Sequence, residues 1–571
     1  MDVVNKLLVE FFPDKKIPGW QKSLFRWAIG KDKIDAYTDR VSDKQGIDWI
    51  ENFTEILAFR FNVHCDDYDN IPAQGPTILF SNHPTVIDGI ALISSVAKVR
   101  KDIKVVANHV IPLLLPQIEA LTIGIRNMQG KIAVSQYKEM SKHLESGGVL
   151  IIFPAGKLAG INPVGLKEFP WHPGFLQLAK KTHATLVPVY IRGFNSLRYY
   201  LTAIVWRPLS NLMILRECLR HRGGKLHIKI GRQIDLARID CEKKQLAVVA
   251  ASFQQHVQQM ATDKPPVLPL AAPLAPPENR SLLNAALSQC ERLKQLADGK
   301  SVLLYRYHGE GYSPVLRELG RLREISFRAI GAGTGKKYDN DRYDDDYYHI
   351  ILWDPARLEI AGAYRFVFAG EQIGRHGLEG LYSHSLFRYQ PEALAVISQS
   401  IEIGRGFIQK QYQKTHALDE LWKGIFHVAL RHKAYKYLIG VLTIPRSYSP
   451  YVQKLMVGFY QAYLSSDEIL CAPEKRYGVN KNEILHFFSG DNFQQDWCRL
   501  NHLLRDKGYE LPWPYKQAVK WYSEGGSKII AFVEDSTFNS IAGLNFCEIN
   551  KLNKMYCRRY LPQKILPVEQ I

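Results

Sequence analysis

The stretch GPTILFSNHPTVIDGIAL, residues 75–92, decides how the first half of the chain is read. Thr77-Ile78-Leu79-Phe80 is a short apolar run bounded by Gly75-Pro76 and by Ser81-Asn82, which predicts a buried strand. His83 and Pro84 follow, and then a helical pattern that contains Asp88. Proline suits the first helical turn, where its missing N–H costs nothing, so His83 is expected just before the helix. The placement matters because residues five apart in one straight helix point about 140° away from each other. A histidine at the helix mouth is instead within reach of the Asp88 carboxylate. Such a carboxylate fixes the imidazole tautomer and leaves the other ring nitrogen to take a proton from a hydroxyl nucleophile. That is the chemistry of ester formation from an activated acyl donor.

Working outward, PTILF (76–80), VLIIFPAG (149–156), TLVPVYI (185–191) and KLHIKIG (225–231) read as strands, and they bracket amphipathic segments such as 134–145. That rhythm predicts an α/β domain over residues 1–262. The run DKPPVLPLAAPLAPPEN, residues 263–279, holds six prolines and predicts an extended, semi-rigid linker. Beyond it, YHIILW (348–353), EIAGAYRFVFA (359–369) and KYLIGVLTI (436–444) read as strands, with helices over 280–296, 313–328 and 450–463. The fold class is therefore α/β, with a second α/β domain over 280–571.

A hydrophobic share of 46% against 23% charged residues is that of a chain able to bury real cores, which excludes wholesale disorder. No apolar run reaches the length needed to cross a bilayer, and the first residues lack the pattern of a secretion signal. The eight cysteines form no Cys-x-x-Cys pair, so neither disulfides nor a zinc site is expected and a reducing, cytoplasmic location is. The formal charge of +18 has an address: residues 151–250 hold 16 Lys/Arg against 5 Asp/Glu. Within that stretch, 197–225 mixes Arg198, Arg207, Arg216, Arg220 and Arg222 with Trp206, Tyr199, Tyr200 and leucines. The pattern suits either a solvated amphipathic helix or a segment lying on an anionic membrane surface. No nucleic-acid-binding motif accompanies the basic residues, so nucleic acid is not an expected partner.

Asn82-His83-Pro84-Thr85-Val86-Ile87-Asp88 resembles the His-x4-Asp block of the 1-acylglycerol-phosphate acyltransferase superfamily. Later blocks occur in that family's order: Phe153-Pro154-Ala155-Gly156 resembles its Phe-Pro-Glu-Gly block, Val187-Pro188-Val189 its Val-Pro-Val block, and Gly124-Ile125-Arg126 more weakly its second block. The resemblance implies that His83 and Asp88 are catalytic and that Asn82, Arg126, Phe153, Pro154, Gly156 and Lys157 line the acceptor. Phosphate-ester-using members commonly continue Phe-Pro-Glu-Gly-Thr-Arg, whereas here Ala155 and Leu158 replace the Glu and Arg. A lysophosphatidate acceptor is thereby put in doubt, and Lys157 is a candidate point charge for a carboxylate.

In the second half, residues 339–346 pack five aspartates into eight positions. Like charges so close repel one another, which suits a solvated loop. The order Arg323-x3-Phe327, Asp339-x-Asp341-x2-Asp344, Arg365 and Glu402-Ile403-Gly404-Arg405 nevertheless resembles the acyl-homoserine-lactone synthases, which are GNAT-like, and, with IEIGRGFI, LWKGI and YLIG, the ornithine lipid N-acyltransferases. An amine must be neutral to attack a thioester, so a carboxylate must bind the cation and a base or water must take a proton. Asp341, Asp344 and Glu402 are the candidates for that work, with Glu402 named as catalytic. Arg323, Arg365 and Arg405 are candidates for holding a carboxylate or phosphate, or for ordering the acidic loop, and Phe327 and Asp339 complete the expected site.

Together the halves resemble the bifunctional ornithine lipid synthases. The resemblance implies N-acylation of an amino acid, ornithine foremost, by the C-terminal domain, and then O-acylation of the 3-hydroxyl of that lyso-lipid by the N-terminal domain. It implies acyl carrier protein thioesters as donors, no metal or redox cofactor, and peripheral attachment to the inner face of the cytoplasmic membrane. The alternatives are an enzyme with only one live domain, a lysophospholipid acyltransferase with a non-catalytic C-terminal domain and a non-enzymatic membrane-binding protein.

Overall fold

The computed structural model describes residues 18–19, 23, 43–125, 133–162, 165–205, 213–239, 246–262, 264–309, 311–466, 471–473 and 475–560. They form two compact units, Met1–Pro273 and Leu274–Ile571, so the division falls inside the proline-rich run.

The N-terminal unit is built on one sheet. Its strands are β1 (Arg60–Val63), β2 (Thr77–Ser81), β3 (Ile103–Asn108), β4 (Thr122–Ile125), β5 (Val149–Ile152), β6 (Thr185–Arg192), β7 (Lys225–Ile230), β8 (Gln233–Ile234) and β9 (Leu270–Ala271). The main order is β1-β7-β6-β2-β5-β3-β4, and β8 joins β6 to β9. Pairs β2–β5, β2–β6, β3–β5 and β3–β4 are parallel. Every residue of β2 is buried, as expected of a parallel strand covered on both faces. Its carboxyl end, where ligands of open α/β sheets bind, leads directly to His83.

Three sequence expectations are corrected. The helix after His83, α1 (Asp88–Val96), starts at Asp88 and not at Pro84, because the Asp88 carboxylate accepts the Thr85 N–H and ties the intervening residues into a turn. The proline-rich run is not wholly a spacer: β9 pairs with β8, and Leu268 and Ala271 are buried against the N-terminal unit. Prolines are tolerated at such an edge, where no ladder N–H is needed from them. The predicted 280–296 helix stops at Ser288, and Glu291–Gln295 becomes a strand because pairing with its neighbour outweighs local helical preference.

Two helices follow β6 in the basic stretch, α2 (Leu197–Val205) and α3 (Ile214–Arg220). Trp206 and Arg207 lie outside the described residues. No helix among the described residues is long and apolar enough to cross a membrane.

The C-terminal unit carries a second sheet: β10 (Glu291–Gln295), β11 (Ser301–Arg306), β12 (Tyr348–Asp354), β13 (Glu359–Phe368), β14 (Ser400–Ile408), β15 (Tyr437–Pro445), β16 (Arg476–Tyr477), β17 (Ser527–Asp535) and β18 (Ser540–Glu548). They lie in the order β10-β11-β12-β13-β14-β15-β18-β17-β16. Only β14 and β15 pair in parallel, and their pairing ends at Ile403 and Gly440. Each strand then runs on bonded to its other neighbour, which opens a wedge between them. Helix α4 (Pro314–Ala329) precedes β12, α5 (Tyr382–Phe387) lies between β13 and β14, and α6 (Pro450–Leu464) follows β15. α4 and α6 start alike, with a serine hydroxyl capping the third N–H and proline in the first turn.

One hairpin turn is built twice. Asp354 Oδ1 accepts the Ala356 and Arg357 N–H groups between β12 and β13, and Asp535 Oδ1 accepts those of Thr537 and Phe538 between β17 and β18. The fifth residue of each turn is left-handed, Leu358 at φ +51° and Asn539 at φ +47°.

Candidate active sites

In the N-terminal unit, the turn between β2 and α1 brings His83 Nδ1 to 2.9 Å from Asp88 Oδ2. Asp88 is fully buried, and its second oxygen takes the Thr85 hydroxyl. The His83 side chain keeps about 20% of its surface exposed and lines a cleft of about 1180 Å3. Asp88 thus holds Nδ1, and Nε2 remains the nitrogen available to the cleft. The ring is stacked on Phe153 at 4.1 Å between centroids, and the His83 carbonyl accepts the Ala159 N–H at 2.8 Å. Gly156, at φ +63°, turns the chain after Pro154, whose carbonyl accepts the His172 N–H. The block that follows β5 therefore packs against the His83 ring rather than approaching it with a charge: Ala155 is buried, and Lys157 Nζ sits 5.0 Å over the Phe169 ring. Lys157 is not among the cleft-lining residues. Asn82 bridges strands, donating to the Ile191 carbonyl and accepting the Ile191 N–H, both at 2.8 Å. Arg126 lies outside the described residues.

Sequence reasoning missed several residues of this site. Glu168 lines the cleft beside His83, accepts the Trp171 indole N–H at 3.1 Å, and is pushed up from the ordinary carboxylate value by burial. Asn195 is buried behind the turn, accepting the Val86 N–H and donating to the Pro84 carbonyl. Glu217 accepts both the N–H and the hydroxyl of Ser196. The contacts of Asn195 and Glu217 join segments more than 20 residues apart, and Glu168 meets His83 only through the fold of the cleft, so no local spacing announces them.

In the C-terminal unit the acidic loop and the arginines form one buried ion cluster. Arg323 on α4 donates two bonds of 2.8 Å to the Asp344 carboxylate and also bonds the Asp339 carbonyl. Arg365 on β13 reaches both Asp341 and Asp344. Arg405 reaches Asp341 at 2.7 Å and Asp339 at 3.3 Å. It sits where the β13–β14 register shifts, at φ +51°, with its guanidinium 4.3 Å from the Tyr382 ring and 4.3 Å from the Phe538 ring. Phe327 on α4 meets Phe538 edge-on. Burial alone would raise Asp344, but Arg323 and Arg365 outweigh it and hold the carboxyl well below its ordinary value. Asp339 goes the other way, because burial outweighs its arginines. Of the three, Asp341 is the one open to solvent, 24% exposed against 3% for Asp339 and 1% for Asp344.

Glu402 is fully enclosed. Its Oε1 accepts from Tyr347 at 2.7 Å and from the Tyr382 N–H at 3.1 Å, and Oε2 accepts from the Ser383 N–H and hydroxyl. It anchors the first turn of α5, where a negative charge meets the helix's unpaired N–H groups. Burial nevertheless raises its carboxyl above the ordinary value. Burial also presses the His349 imidazole, beside Asp344, down to about 4, so it is neutral near pH 7. Among the described residues, His64, Cys65 and Asp66 are the group spaced to share a metal ion, and all three are exposed.

A hydrogen-bonded histidine–aspartate pair on one α/β sheet and an arginine–carboxylate cluster beside a split parallel strand pair on another are the two candidate sites of the chain. Residues 62–192 match the family described as Acyltransferase, and residues 322–423 match the one described as Acetyltransferase (GNAT) domain. The chain belongs to the acyltransferases, with an Acyltransferase-family domain N-terminal and a GNAT-type domain C-terminal. A glycine N(alpha)-acyltransferase of Phocaeicola vulgatus is 32% identical over 41% of this chain and 76% of its own length. A glycine N(alpha)-acyltransferase of Bacteroides thetaiotaomicron is 30% identical over 41% of this chain and 74% of its own. A lyso-glycine lipid O-acyltransferase of Phocaeicola vulgatus is 26% identical over 40% of this chain and 84% of its own.

Proposed function

We propose that this one chain performs both acylations of an amino acid lipid. The C-terminal unit transfers a 3-hydroxyacyl group from an acyl carrier protein thioester to the α-amine of an amino acid, and the N-terminal unit esterifies the 3-hydroxyl of the product. The observation that carries this reading is the His83–Asp88 pair at the mouth of an open cleft, on a chain whose other unit holds the arginine–aspartate cluster. In the second step His83 Nε2 removes the hydroxyl proton as the oxygen attacks the thioester, Asp88 stabilises the imidazolium, and the imidazolium returns the proton to the carrier thiolate as the C–S bond breaks. In the first step the partly exposed Asp341, which also pairs with Arg365 and Arg405, is the carboxylate placed to bind the ammonium before a base or water takes its proton and the neutral amine displaces the carrier thiol, while Glu402, with its four donors, positions α5. The wedge beyond Ile403 and Gly440 offers unpaired strand edges to the donor's extended pantetheine arm. No metal or redox cofactor enters either step.

The resemblance in sequence points to ornithine as the headgroup, and the relatives' names point to glycine. Attachment to the anionic inner face of the cytoplasmic membrane is supported by the exposed apolar residues Phe194, Leu197, Leu201 and Ile204, which recur at helical spacing beside Arg198. Mass spectrometry of lipids from cells expressing the chain tests the whole reading: a new diacylated amino acid lipid is expected, and its headgroup mass separates ornithine from glycine. Lipids unchanged apart from their phospholipid acyl chains would overturn it.

A further inference from the structure

The cleft in front of His83 has a wall that the dyad does not use. It is lined by Arg192 at the end of β6, Arg220 at the end of α3, and Lys225 and His227 on β7. Arg192 and His227 are partners across the β6–β7 ladder, so the positions are set by sheet register and not by a loose loop. Arg192, Arg220 and Lys225 are exposed and form no ion pair among the described residues. The cleft's two acidic side chains are engaged elsewhere, Glu217 by Ser196 and Glu168 by Trp171. The block after β5 meanwhile supplies neither acid nor arginine, since Ala155 and Leu158 stand there and Lys157 lies over Phe169. An anionic acceptor therefore finds its countercharge on the opposite segment of chain.

We propose that Arg192 and Arg220, with Lys225, hold the free carboxylate of an N-acylated amino acid while its 3-hydroxyl lies at His83. Guanidinium groups are the donors suited to a planar carboxylate, through paired N–H bonds. The inference rests on the reading that the N-terminal unit esterifies such an acceptor, and it names the residues that select it.

The test uses the full chain and three acceptors: an N-(3-hydroxyacyl) amino acid, its methyl ester, and a lysophosphatidate. Arg192→Gln and Arg220→Gln are each expected to raise KM for the free acid by roughly ten- to a hundredfold, the loss of one charge-assisted hydrogen bond. The preference for acid over ester should collapse in the double variant, and Arg192→Lys should recover part of it. Lys180→Gln, on the surface, serves as the control. Equal losses on acid and ester, or an undiminished preference in the double variant, would overturn the assignment. Wild-type enzyme that acylates lysophosphatidate but neither the acid nor the ester would instead overturn the function proposed above.

Discussion

Asp88 Oδ2 holds His83 Nδ1 at 2.9 Å across five positions of sequence, and the same oxygen takes the Thr85 N–H at 2.8 Å. One carboxylate thus shapes the turn and orients the imidazole. His83→Ala is expected to lower O-acylation by roughly 10²- to 10⁴-fold, the usual worth of a general base. N-acylation should continue, so lyso-lipid accumulates. Diacylated lipid at wild-type level in cells making the variant would contradict the role given to His83.

Asn82 is a prediction about framework rather than chemistry. Its amide satisfies both backbone groups of Ile191, and Asn82→Ala leaves both unpaired in a buried strand. The expected cost is about 2–6 kcal/mol, from roughly 1–3 for each stranded group. Urea unfolding reads this directly. A midpoint unchanged from wild type would show that the bridge carries no stability.

The repeated hairpin turn gives a matched pair. Asp354→Ala and Asp535→Ala each remove an acceptor for two backbone N–H groups, so each should destabilise by about 1–3 kcal/mol. Only the second turn carries Phe538, which covers Arg405. N-acylation should therefore fall further in Asp535→Ala than its stability loss explains, whereas Asp354→Ala should track stability. Equal activity losses in the two folded variants would contradict the distinction.

The contrast between these residues shows what the sequence discloses. His83 and Asp88 are readable because both fall within one strand-to-helix connection, and the aspartate and arginine spacing of the second half is readable as a motif. What the motif does not disclose is who binds whom. Glu402 reads as a base, but its surroundings come from α5, twenty positions upstream, whose N–H groups surround it once the sheet forms. Arg323, Arg365 and Arg405 read equally as ligand donors or as the groups that order the acidic loop, and each is engaged with aspartates of that loop. Glu168, Asn195 and Glu217 stay invisible because their positions depend on tertiary folding. The 280–296 helix and the proline spacer fail for the same reason: strand pairing decides both, and pairing is non-local.

The ion cluster makes a prediction about pH. The folded-state carboxyls of Asp341 and Asp344 lie below their ordinary value of 3.8: burial opposes this, and the arginines prevail. A group depressed on folding contributes stability above its unfolded value and loses it as pH falls through the folded one. Asp339 and Glu402, raised by burial, act with the opposite sign above their ordinary values of 3.8 and 4.5. Between pH 7 and pH 3 the wild-type unit should therefore weaken mainly at the acid end. Arg323→Gln removes one of the two guanidiniums from Asp344, leaving a buried charge partly uncompensated, at a cost of about 3–5 kcal/mol at pH 7. With Asp344 less depressed, its acid limb must also become shallower. Urea midpoints at pH 7 and pH 3 for both proteins measure the two effects together. A variant weaker at pH 7 but with wild-type pH dependence would show that Arg323 acts through packing and not through the charge of Asp344.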